Sequence, residues 1–73
     1  MEAPTAEFAV KACLKEIRKQ LDEAARVAKA AEACADIGNI DKAVEIVLDL
    51  EQPVYEAGRL LDAASLINRL SKT

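Results

Sequence analysis

An all-α fold, a long antiparallel helical hairpin, is predicted for this 73-residue chain by three observations. Hydrophobic residues make up 52% of it and charged residues 32%, yet only Phe8 and Tyr55 are aromatic, and glycine and proline number two each. That is the composition of a helix bundle, not of a sheet or a disordered chain. Apolar residues recur at alternating steps of four and three from Val10 onward. One bend signal, Ile37-Gly38-Asn39-Ile40, divides the chain near its middle. The expectation is a single domain over residues 1–73, with a helix at about 5–36, a bend at 37–39 and a helix at about 40–70, kinked near Pro53.

The first helix is expected to start at Pro4-Thr5, where the Thr5 hydroxyl can accept from an orphan backbone N–H and Glu7 places negative charge in the first turn. Val10, Leu14, Ile17, Leu21, Ala24, Ala28, Ala31 and Ala35 then form an unbroken 3.5-residue seam, the mark of a helix packed lengthwise on another. Such a helix is about 45 Å long. Branched side chains fill the first half of the seam and alanine alone fills the second, which leaves room for large residues on the neighbour.

At the bend, Gly38 can take the left-handed conformation that closes a helix, while Asn39 can cap the next one and Asp41 favours its positive end. Folding the chain back so that paired positions sum to about 75 sets large against small. Ala35 meets Ile40, Ala31 meets Val44, Ala28 meets Val47 and Ile17 meets Ala57 or Gly58; Leu14 against Leu61 is the exception. Pro53 removes a helical hydrogen bond and crowds the carbonyl of Asp49. Too few residues surround it for a reversal of direction, so a kink within residues 49–53 is expected.

The second helix carries more apolar surface than one partner helix can cover. One stripe runs Ile40, Val44, Val47, Val54, Leu61 and another runs Ala43, Ile46, Leu50, Ala57, Leu60, Ala64, Ile67, with Leu48, Leu66 and Leu70 farther round. The hairpin is therefore expected to pair into a four-helix bundle, as a homodimer, with Val10, Leu14, Ile17, Leu21, Ile46, Leu50, Leu60 and Ile67 as self-association residues. Val44, Val47, Val54 and Leu61 are expected to join the bundle core.

Charge is distributed in blocks. Lys11, Lys15, Arg18 and Lys19 stand against Glu16 early in the chain, and Asp36, Asp41, Glu45, Asp49, Glu51 and Glu56 stand against Lys42 alone in the middle. An antiparallel dimer would set the acidic bend of one copy beside the basic first turns of the other. Cys13 and Cys34 lie three heptads apart on one helix face, about 31 Å from each other, too far to bond within a chain. They read as small buried hydrophobes, or as a pair that approaches across an antiparallel dimer. Mid-helix Gly58 suggests close packing against Ile17.

Function classes narrow by elimination. The chain has no histidine, so imidazole acid–base chemistry and the usual transition-metal sets are missing, and two glycines cannot build a phosphate loop. No catalytic, cofactor-binding or metal-ligating residue is assigned. The turn Gly38-Asn39-Ile40-Asp41-Lys42-Ala43 has the flavour of a helical-repeat turn, but the flanking helices are twice too long and no second copy of the unit occurs. Lys11, Lys15, Arg18 and Lys19 are the candidate anion or nucleic-acid contacts; a net charge of −3 and the lack of interleaved aromatics weigh against them. Without a signal-peptide pattern, a membrane-length apolar run or a disulfide framework, a cytoplasmic protein is expected. The expected role is a non-enzymatic protein–protein interaction or scaffold module that self-associates. The alternatives are a small nucleic-acid-binding regulator using the basic face of residues 11–29, and a subunit of a hetero-oligomeric complex that docks a different protein on the apolar face of the second helix.

Overall fold

The computed structural model of the chain describes residues 2–72 and is helical almost throughout. Helix α1 spans Ala3–Asp36, α2 spans Ile40–Val47, and α3 spans Glu51–Ser71, with one 3-10 turn at Leu48–Leu50 joining the last two. The α1 helix packs against both α2 and α3, so the chain is a hairpin. Its Cα atoms extend 54 × 14 × 11 Å. The middle dimension fits two Cα cylinders of about 2.3 Å radius lying side by side, so the molecule is one layer, two helices wide.

The start of α1 lies earlier than Thr5. Ala3 is already helical, and Pro4 sits in the first turn, where its missing N–H is no loss. Glu2 precedes the helix without a side-chain cap, and Glu7 falls past the first turn, where it pairs instead with Lys11 at 3.0 Å. At the other end the sequence and the structure agree. Gly38 has φ +87°, the only positive φ among the described residues. Its N–H donates to the Ala35 carbonyl, and the Asn39 N–H donates to the Cys34 carbonyl, each at 2.9 Å. These two bonds are the Schellman closure of a helix by glycine. The Asn39 side chain then accepts from the Lys42 N–H at 3.2 Å and starts α2, with Asp41 in its first turn.

Pro53 is accommodated by tightening. Backbone angles remain right-handed helical through Leu48, Leu50 and Glu51, so the chain neither stops nor reverses. The irregularity lies at Leu48–Leu50, one turn ahead of the proline. There the 3-10 spacing relieves the crowding of the Asp49 carbonyl. Pro53 becomes the third residue of α3 and is buried.

Burial marks the seam. On α1 the buried and half-buried row is Ala6, Val10, Cys13, Ile17, Gln20, Ala24, Val27, Ala31 and Cys34; on the returning arm it is Ala43, Ile46, Leu50, Pro53, Ala57, Leu60, Ala64, Ile67 and Ser71. Both rows keep the four-three rhythm over their whole length, so the helices stay in lengthwise contact. The seam differs from the expected one in alternate positions. Val10, Ile17, Ala24 and Ala31 belong to it, but Leu14, Leu21 and Ala28 are exposed, replaced by Cys13, Gln20 and Val27. Each helix carries three adjacent apolar rows, and two helices in one layer can bury only two of them.

Candidate interaction face

The row left out of the seam defines the site. On α1 it consists of the exposed Leu14, Leu21 and Ala28 and the half-buried Ala35; on the returning arm it consists of Ile40, Val47, Val54 and Leu61, all exposed. Members repeat every seven residues on both arms, so each set lies along one line of its helix. Near the bend the two lines border one apolar groove, lined by Ala28, Ala31, Ala35, Ile40, Val44 and Val47. Ala28, Val47, Ala35 and Ile40, which the sequence placed in pairs between the helices, thus line this open groove. The same spacing carries the face to the far end, where Leu14 and Leu61 remain 55% and 59% exposed.

The interior is thin by comparison. Among the described residues the buried apolar core consists of Ala6, Ala31 and Ala64, and no large side chain is fully buried. Ile17, Ile46, Leu50, Leu60 and Ile67 are half-buried in the seam. Of the eight residues predicted for self-association, only Leu14 and Leu21 lie on the open row. Val10, Ile17, Ile46, Leu50, Leu60 and Ile67 are half-buried in the seam rows. Ile40, Val44, Val47, Val54 and Leu61 are exposed along the open face, and the sequence placed the last four of them in a bundle core.

Around the other side of the seam the character changes. Glu16, Glu23, Asp49 and Glu56 follow on that flank, and the amide of the seam residue Gln20 donates to Glu16 at 3.2 Å. The hairpin thus has an apolar front and a more polar back, with Leu66 and Leu70 also exposed off the front row.

The basic cluster is largely neutralised by its own helix. Lys11 pairs with Glu7 at 3.0 Å, Arg18 with Asp22 at 3.1 Å and Lys19 with Glu16 at 3.9 Å; these are exposed pairs one turn apart. Lys15 is exposed beside them. Cys13 and Cys34 are free thiols, half-buried in the seam and off the open row. Gly58 is exposed, and a Cβ placed there would meet nothing within 4 Å, so packing against Ile17 does not account for it. Among the described residues no group of three or more cysteine or carboxylate side chains converges as a metal site would require. No helix among them is long and apolar enough to cross a membrane. No family of known proteins, no curated protein and no solved structure matches the chain.

Proposed function

We propose that this chain is a non-enzymatic protein–protein interaction module that works as a homodimer, two hairpins closing apolar front to apolar front into a four-helix bundle. The carrying observation is the surface it leaves open. The hairpin exposes 5466 Å², whereas a compact monomer of 7.9 kDa is expected to expose about 4,400 Å². The surplus of about 1,000 Å² matches the roughly 800 Å² that each partner contributes to a standard stable interface. An alanine core with no buried large residue gives the lone hairpin little to hold it folded, and a second hairpin over Leu14, Leu21, Val47, Val54 and Leu61 would supply the missing layer.

Sedimentation equilibrium at micromolar concentration tests the reading. A mass of twice the 7.9 kDa chain is expected. A well-folded monomer would overturn it. A chain that aggregates alone and becomes soluble only with a co-expressed partner would place the face in a hetero-oligomer instead.

A further inference from the structure

The open face has an end-to-end gradient. Leu14, Leu21, Val54 and Leu61 occupy the end near the termini, while Ala28 and Ala35, with Val47 and Ile40, occupy the end near the bend. Two hairpins stacked front to front with their bends together would combine four leucines in one layer and two alanines with two isoleucines in another. The layers of such a bundle would differ steeply in volume along its length. A uniform interhelical distance needs layers of similar volume. Stacked with bends at opposite ends, every layer evens out: Leu14 and Leu61 meet Ala35 and Ile40 of the second copy, and Leu21 and Val54 meet its Ala28 and Val47.

The flanks of the face point the same way. Next to the apolar row on α1 lies a second seven-residue series, Lys11, Arg18, Ala25 and Glu32, all exposed. In the bends-opposed arrangement α1 runs antiparallel to α1 of the second copy, and flanking positions pair symmetrically about Ala25. Arg18 of each copy then stands opposite Glu32 of the other, giving two opposite-charge pairs, and Lys11 approaches the bend that carries Asp36 and Asp41. On the other arm the flanking series is Val44, Glu51, Gly58 and Ser65. Val44 of one copy there faces Gly58 of the other, which would give the unexplained mid-helix glycine a role as a receptor for a branched side chain. Glu51 faces its own copy at the axis, on the solvent side, the single like-charge approach.

We infer that the partner is a second copy of this chain docked with its bend at the opposite end, α1 against α1, on a two-fold axis beside Ala25. The inference rests on the self-association proposed above, and its test separates the two. In a chain carrying Cys13→Ala and Cys34→Ala, Ala25→Cys is expected to link two copies through a short bismaleimide, whereas Ala30→Cys on the polar back is not. Arg18→Glu and Glu32→Arg should each weaken the dimer roughly tenfold, and the double exchange should restore it. A protein that sediments as a dimer yet shows no Ala25→Cys link and no restoration would overturn this arrangement and leave self-association standing. A monomer would end both.

Discussion

Leu21→Ala separates the role of the open row from that of the seam. Leu21 is 51% exposed in the hairpin, so about half of its apolar surface is covered within the chain and half is open to solvent. Complete burial of a leucine side chain contributes about 1.5–3 kcal/mol, which leaves about 1 kcal/mol per copy to be gained on docking. A homodimer contains the residue twice, so the substitution should cost association about 2 kcal/mol, or about 30-fold in Kd. Any cavity left against the second copy adds to that. Dilution calorimetry or sedimentation across the dissociation range reads the change directly. Leu60→Ala, in the half-buried seam, is the matched comparison and should lower the stability of the hairpin itself. An unchanged Kd for Leu21→Ala in a chain that does dimerise would refute the assignment of the open row as the interface.

Three further substitutions probe other parts of the account. Gly38→Ala adds a Cβ into open space at φ +87°, so its cost is purely the left-handed backbone, about 1–2 kcal/mol, read from urea unfolding. Pro53→Ala should change stability by under about 1 kcal/mol, since the 3-10 turn has already absorbed the strain; the gain of about 3 kcal/mol expected on removing a proline from a helix interior would contradict that. Gly58→Ala should favour the helix by about 1 kcal/mol in dilute solution yet weaken association, because the space it fills is the one assigned to Val44 of the second copy. Comparing helicity at low concentration with Kd distinguishes the two effects.

The bend was the most legible feature of the sequence. Gly38 and Asn39 act through their own backbone and side-chain bonds to residues at most five positions away, so nothing distant could override them. Helix periodicity was equally plain, because a 3.5-residue rhythm survives whichever neighbour a helix meets. The choice of rows was not legible. Leu14 and Cys13 are adjacent in sequence and both suit a buried seam, and periodicity cannot say which will face the neighbouring helix and which will face away from the layer. A four-helix core and a two-helix seam share Val10, Ile17, Ala24 and Ala31 and differ only in the alternating row. The expected seam through Leu14 and Leu21 is the row a second hairpin would cover, which is why it looked like a core. Thr5 was misjudged for a local reason: Pro4 marks the first turn of a helix and not the residue ahead of it. Pro53 signalled both its disturbance and its approximate place, since the crowding of the carbonyl four residues earlier points to residues 49–53, and the 3-10 turn falls at Leu48–Leu50.

Thermal unfolding as a function of protein concentration tests most directly whether this hairpin is half of a structure. If folding and pairing are coupled, the midpoint followed by circular dichroism should rise by several degrees over roughly a hundredfold increase in concentration, because mass action stabilises whatever the folded chains form together. A cooperative transition at one temperature across that whole range would show that the alanine-cored hairpin folds alone, and would contradict the account.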